Sequence, residues 1–276
     1  MRELALFAGG GGGLLGSQLL GWSTRCAVEL DPYARSILLA RQRDGLLEPF
    51  PIWDDVKTFD GRPWRGSIDV VSGGFPCKDI SAAGRGAGIT GENSGLFFEM
   101  LRIIKEVRPR FILAENSPNL RTRGLVTVVK ELDGLGYDCR WGVLGAWHVG
   151  APHKRNRMWI VGKLSNADKL GVRIERGSQR LEKGRNRETA PELKHDGGAL
   201  DVADAARIGR EKQRRTGPVP PQLTPVKRGS WWAVEPGFCR VAHGVANRVD
   251  RLKALGNGQV PAVAVLAWEI LGGDLC

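Results

Sequence analysis

The sequence predicts an α/β protein: a doubly wound, mostly parallel sheet with helices on both faces, joined to a small loop-rich second unit. Three observations carry this reading. Strand-like apolar runs alternate with helix-period segments through the first 164 residues. A glycine run follows the first apolar run directly, where such a sheet turns from strand into helix. After Leu164 long apolar runs become scarce, and residues 165–237 carry 15 Lys+Arg against 10 Asp+Glu, a surplus of five.

The elements follow in order. Glu3 to Phe7 reads as a first strand ending in the loop Gly9–Gly13, and Leu14, Leu15, Leu19 and Leu20 have helical spacing. Arg25 to Leu30 is strand-like, and Pro32 suits the first turn of a helix running to about Arg43. Ile68 to Ser72 reads as a third strand; Gly95 to Val107 is amphipathic, and Pro109 stops it. Phe111 to Ala114 reads as a buried strand, Leu125 to Leu135 as a helix and Met158 to Val161 as another strand. Gln259 to Leu271 reads as a last helix with Pro261 in its first turn. The expected division is one unit of residues 1–164 plus 240–276 around a second of residues 165–239. The second is too poor in apolar runs to bury much core alone, and reads either as an insert without its own fold or as a small loop-rich domain that touches a ligand.

At 276 residues and 42% hydrophobic composition the chain can bury a sizeable core. Its net charge of +11 points to a polyanionic partner, nucleic acid being the commonest. Five cysteines, none spaced CxxC, and four histidines complete no zinc pattern; no metal is expected. The odd, scattered cysteines fit a reducing compartment, hence a cytoplasmic location. No charged segment followed by an apolar stretch opens the chain, and no apolar run reaches about 18 residues, so neither a signal peptide nor a membrane span is expected.

Four segments could carry chemistry. Leu4 to Leu15, LALFAGGGGGLL, allows close approach of a nucleotide-like ligand. It lacks the GxxxxGK[ST] of a phosphate loop and fits GxGxxG only loosely, and its glycines could equally serve a tight turn. Glu29, in Val28-Glu29-Leu30-Asp31, stands where a ribose diol would be gripped, a geometry that suits a dinucleotide and adenosylmethionine alike. Ser72 to Ser81, SGGFPCKDIS, sets Cys77 beyond a parallel strand, where a thiolate could act as a nucleophile or a thiol serve as filler. Glycines 84, 86, 88 and 91 could form a closing loop, with Arg85 reaching a phosphate. In FILAENSPN, Glu115 and Asn116 come at a buried strand end, where the carboxyl is either an acid of raised pKa or a satisfied cap or ion pair. In GAPHKRNRMWIVG, Arg155 and Arg157 alternate, sharing one face of an extended segment; they could hold a carbonyl oxygen, a phosphate or Glu115, or line a solvated edge.

In this order the segments resemble the DNA cytosine-5 methyltransferase family. Leu6-Phe7-Ala8-Gly9 resembles its adenosylmethionine loop, Glu29 its ribose-binding acid, and Pro76-Cys77, with Asp79 and Ser81, its catalytic motif. Glu115-Asn116 matches its Glu-Asn pair, Arg155-x-Arg157 its paired arginines, and Gly256-Asn257 with Pro261 its last motif. The order agrees over residues 1–164 and again from about 240 to 276. WWAVEPGFCRVAHGVANRVDRLKALGN is similar to compact members from phages and prophages, which implies a modification enzyme without a nuclease partner, although the family also serves restriction–modification systems. Ala5 stands where an acid is usual, Lys78 for Gln, Ser117 for Val, His153 for Gln and Gly258 for Ser.

The resemblance implies a class I S-adenosylmethionine-dependent, Rossmann-like fold with a target recognition domain at 165–239. It implies methyl transfer to carbon 5 of a flipped-out cytosine in duplex DNA, by a monomer. Cys77, Glu115, Asn116, Arg155 and Arg157 would be catalytic. Phe7, Ala8, Gly9, Gly11, Glu29, Asp55 and Asn257 would bind S-adenosylmethionine, and Ser81 and Arg85 the substrate. A family member acting on RNA would keep the same motifs; a non-catalytic DNA-binding relative would lose Cys77 or Glu115.

Overall fold

In the computed structural model, which describes residues 1–76, 95–165 and 247–273, seven strands form one sheet. They are β1 (Arg2–Leu6), β2 (Ser23–Val28), β3 (Ile52–Trp53), β4 (Val70–Gly74), β5 (Phe111–Asn116), β6 (Tyr137–Leu144) and β7 (Arg157–Leu164). Their spatial order is β3-β2-β1-β4-β5-β7-β6. Neighbours are parallel except at β7, which runs against both β5 and β6. The strand order reverses between β1 and β4, so a crevice opens beyond their carboxyl ends, where open α/β sheets bind ligands.

The helices are α1 (Gly12–Leu19), α2 (Pro32–Arg43), α3 (Gly95–Val107), α4 (Leu120–Arg123), α5 (Leu125–Gly134), α6 (Arg248–Asn257) and α7 (Pro261–Gly272). Local chemistry sets their ends. Asp31 caps α2 by accepting from the Tyr33 and Ala34 amides, and Pro32 occupies its first turn. The buried positions of α3, Phe97, Met100, Ile103, Ile104 and Val107, form a single helical stripe. Arg108 follows with φ 54, and Pro109 prevents continuation.

Alternation along the strands sends side chains to two cores. Leu4, Leu6, Val71, Ile112, Ala114 and Ile160 pack with α3 and α5 on one face. On the other, Val70, Phe111, Leu113, Trp159 and Val161 meet Val263, Ala264, Ala267, Trp268 and Leu271 of α7, while Ala5 and Ala27 meet Leu14 and Leu38. Trp268 sits edge-on to Trp22 and Phe111, with ring centroids 4.7 and 5.3 Å apart.

The doubly wound, mostly parallel sheet is as expected, with differences in detail. The third strand runs to Gly74, two residues past Ser72, and the last is eight residues long rather than the four from Met158 to Val161. The strands β3 and β6 and the helices α4 and α6 were not anticipated. In β6, at the sheet edge, Tyr137-Asp138-Cys139-Arg140-Trp141 alternates apolar and polar residues with Asp138 and Arg140 exposed, a period-2 signal that a search for apolar runs passes over. By length and hydropathy alone Arg248–Gly272 could cross a membrane. It is two helices interrupted at Gly258–Val260, its first half carries Arg248, Asp250, Arg251 and Lys253, and α7 is a core helix of the sheet. Apart from Ser165, the expected second unit at 165–239 lies outside the described residues.

Candidate active site

The glycine loop after β1 is built by unusual backbone. Phe7, Gly9 and Gly11 have φ of 54, 56 and 91, and a left-handed phenylalanine is costly enough to mark a constrained site. The Glu29 carboxylate, just past β2, fastens this loop: Oε2 accepts from the Gly9 amide at 2.7 Å and Oε1 from the Asp31 amide at 2.8 Å. Each oxygen keeps a lone pair for a further donor. Phe7, Ala8, Gly9, Ser72, Gly73, Gly74, Glu115 and Asn257 line one cleft.

Three residues expected at the cofactor are absent from this lining: Gly11, Asp55 and Glu29, which meets the cleft only through its bond to the Gly9 amide. Gly11 faces inward, where a Cβ would meet Leu38 at 2.9 Å, and it is the N-cap of α1 instead of lining the cleft. Asp55 is absent from the lining and caps a turn by accepting from the Lys57 amide at 2.9 Å. The glycines that follow serve packing as well as ligand approach. A Cβ on Gly12 would overlap the Gln259 carbonyl, and one on Gly16 would crowd Ala264 of α7 at 2.9 Å.

At the carboxyl end of β5, consecutive side chains leave on opposite faces. Glu115 turns to the α7 side, where Arg157 Nε meets its Oε1 at 2.9 Å and the Gln259 amide donates to Oε2 at 3.4 Å. Gly74 makes the room, since a Cβ there would lie 2.7 Å from Glu115 Oε2. Burial holds the Glu115 carboxyl above the usual carboxylate range; the Arg157 guanidinium, the Gln259 amide and the more distant Arg155 oppose this only in part. Asn116 turns to the other face and donates to the Phe75 carbonyl at 3.0 Å, while its Oδ1 accepts from the Ser117 amide at 2.7 Å. It thereby pins the chain two residues before Cys77.

The two arginines part company. Arg157 opens β7 and reaches Glu115. Arg155 has φ 36, which breaks the extended path that would have set both on one face. Its guanidinium instead donates to the carbonyls of Leu255 at 3.2 Å, Gly256 at 2.8 Å and Gly258, capping α6 beside Asn257. Lys253 of α6 pairs with Asp31, a partly exposed contact of small energetic weight. Gln259 enters the sequence reading only as the start of the last helix and without a functional role, although its place between Asn257 and Pro261 is a usable signal.

Cys77, Ser81 and Arg85 lie outside the described residues. Among the described residues the free cysteines are Cys26 and Cys139. Burial pushes their thiols up to about 11 and about 12, with Asp138 and Asp133 adding at Cys139, so neither offers a thiolate near neutral pH. Among the described residues, no group of three His, Cys, Asp or Glu side chains could hold a metal ion.

Comparison with known proteins agrees with this arrangement. The model of the C-5 cytosine-specific DNA methylase family matches residues 1–209. The Type II methyltransferase M.PspPI of Psychrobacter sp. (strain TA137) is 30% identical over an alignment covering 96% of this chain and 61% of that protein. M.CviJI of Paramecium bursaria Chlorella virus IL3A is 37% identical over 58% of this chain and 42% of its own length. M.Eco47II of Escherichia coli is 36% identical over 57% and 38%. The chain thus spans between 38% and 61% of the length of these relatives. The sheet order, with its single reversed strand, is that of a class I methyltransferase fold. With the family model covering well over half the chain and the motif residues gathered at one end of the sheet, the chain belongs to the C-5 cytosine-specific DNA methylase family.

Proposed function

We propose that this chain methylates carbon 5 of cytosine in duplex DNA, with S-adenosylmethionine as methyl donor and Cys77 as nucleophile. The observation that carries the reading is the pair at the end of β5: Glu115 held by Arg157 beside the cleft, and Asn116 bonded to the backbone two residues before Cys77.

Two observations beside the cleft support S-adenosylmethionine as its ligand. A Cβ on Gly9 would meet nothing within 4 Å, leaving open space above the loop, and Glu29 keeps acceptor capacity for ribose hydroxyls. Glu29 would hold the ribose, Phe7, Ala8 and Gly9 the body of the molecule, and Asn257 its methionine end. Asp55 would reach the adenine only by leaving its turn. When bound, S-adenosylmethionine supplies an electrophilic methyl group on a sulfonium.

Cytosine carbon 5 is a poor nucleophile until something adds to carbon 6. The Cys77 thiolate adds there, and the electron pair of the 5,6 double bond moves toward carbon 5 and the ring. Glu115, kept protonated more readily by its burial, hydrogen bonds to ring nitrogen 3 and stabilises the charge. Arg157 keeps that carboxyl aimed, and Asn116 fixes the approach of the Cys77 segment. Arg155 acts at one remove, by fastening the carbonyls around Asn257. Carbon 5 takes the methyl, a base such as water removes its proton, the double bond re-forms and the thiolate leaves.

The target base must leave the stack, at a cost of a few kcal/mol. In this reading Ser81 and Arg85 contact the target nucleotide, and residues 165–239 read the major groove, their Arg and Lys contacting phosphates. The enzyme works in the cytoplasm as a monomer. The test is transfer of labelled methyl groups to mixed-sequence duplex DNA by wild type and by Cys77→Ser, with RNA in parallel. Label on cytosine carbon 5 of DNA with wild type alone is the expected result. Label on RNA only, or none with the cofactor bound, contradicts it.

A further inference from the structure

The Gln259 side chain fills the gap between two glycines on different elements. Its Oε1 lies where a Cβ on Gly13 would fall, and its Nε2 lies 3.0 Å from where a Cβ on Gly74 would fall. The same Nε2 is 3.4 Å from Glu115 Oε2, and Gly13, Gly74, Glu115 and Gln259 all line the cleft. The backbone of this segment is fixed from both sides. The Gln259 carbonyl abuts Gly12, and Arg155 holds the Leu255, Gly256 and Gly258 carbonyls just before it. What can still move is the amide, and it sits between Gly13 in the first turn of α1 and the acid.

We propose that Gln259 is a positioning residue that couples the first turn of α1, directly after the glycine loop, to Glu115, fixing Oε2 while Arg157 fixes Oε1. This rests on the reading of Glu115 as the group that serves cytosine nitrogen 3. An amide N–H donated to a carboxylate favours the charged form. Withdrawing it leaves Glu115 a weaker acid and leaves one carboxyl oxygen unheld. The charged groups that face this carboxyl among the described residues are Arg157 and Arg155, and neither changes when the amide is moved. Gly13 is the second handle: a methyl there occupies the place of Gln259 Oε1 and displaces the amide without touching Glu115.

The experiment follows the Glu115 carboxyl by carbon-13 NMR against pH, with Glu115→Gln identifying the resonance, in the full chain without cofactor. Wild type, Gln259→Leu and Gly13→Ala are compared. The pH dependence of single-turnover methyl transfer is measured beside them. In Gln259→Leu the Glu115 titration moves up by roughly half a pH unit, a modest shift because the bond is long. Gly13→Ala moves it in the same direction, and the methyl-transfer profile shifts with it. Should Gln259→Leu fail to fold, Gly13→Ala decides. An unchanged titration in folded variants, with methyl transfer intact, overturns the role of Gln259 alone. A shifted titration when wild type itself transfers no methyl supports the coupling and overturns the function instead.

Discussion

Two carboxyls are buried in this sheet, Glu3 at 0% and Glu115 at 8% exposure, and they are held by opposite means. Glu3 accepts from three neutral hydroxyls, Ser17 at 2.6 Å, Thr24 at 2.8 Å and Ser72 at 2.5 Å, donated by α1, β2 and β4. Glu115 has a cation, Arg157, and a long contact to Gln259, and it lines a cleft. Burial raises the affinity of both for protons; hydroxyls from Ser17, Ser72 and Thr24 oppose this at Glu3, and Arg157 leads the opposition at Glu115. The first arrangement uses up the carboxyl to join three elements. The second leaves it aimed and incompletely satisfied, with room for another partner. A buried acid is a chemical tool where its shell is unfinished.

Breaking the second site gives the largest effect. Glu115→Gln lowers single-turnover methyl transfer by about 10²–10⁴-fold, the range of a lost acid–base group. Thermal unfolding should change little, because Arg157 is 29% exposed and water can replace its partner. A large loss of stability with activity per folded molecule retained would reverse the comparison. Breaking the first site does the opposite. Glu3→Leu strands three hydroxyls and should cost about 2–4 kcal/mol in urea unfolding, while folded protein keeps its rate within a few-fold.

Arg155 lies between these extremes. Arg155→Ala releases the carbonyls around Asn257 and should raise KM for S-adenosylmethionine roughly tenfold, with kcat less affected. A loss in kcat alone would place Arg155 at the base instead. The smallest effect is a slope. The folded Glu3 carboxyl binds its proton more tightly than the ordinary 4.5, so its protonated form favours the native state. That contribution is full below the unfolded value and is lost as pH rises through the raised one. Urea midpoints of wild type and Glu3→Gln, compared from about pH 4 to about pH 8, should show the wild-type advantage shrinking upward. The acids with lowered values, Asp31, Asp60 and Asp69, are common to both proteins and cancel.

Much of this was legible in the sequence, for reasons that differ by element. The bounds of α3 follow from its apolar stripe and Pro109, and α2 from Asp31 and Pro32. The buried run Phe111–Ala114 marked β5, and its polar end marked Glu115 and Asn116. The strand β6 was legible in the alternation of Tyr137-Asp138-Cys139-Arg140-Trp141 but not as an apolar run, and the reversal of β7 leaves no local trace. The split between Arg155 and Arg157 turns on one left-handed backbone angle in a non-glycine residue. The sequence offers the glycine run as an approach for a ligand or as a tight turn, yet Gly12 and Gly16 also answer to Gln259 and Ala264, about 250 residues away along the chain. Such close approach is decided by tertiary packing.

The most direct test of the central claim is covalent trapping. Duplex DNA of mixed sequence is made with fluorine at cytosine carbon 5, so that the proton removed in the last step is missing. Incubated with S-adenosylmethionine, the wild-type chain should form a protein–DNA complex that survives denaturing electrophoresis, and peptide mass analysis should place the linkage on Cys77. Cys77→Ser should form none. Absence of the complex from wild type with bound cofactor, or a linkage to any other residue, would contradict the account.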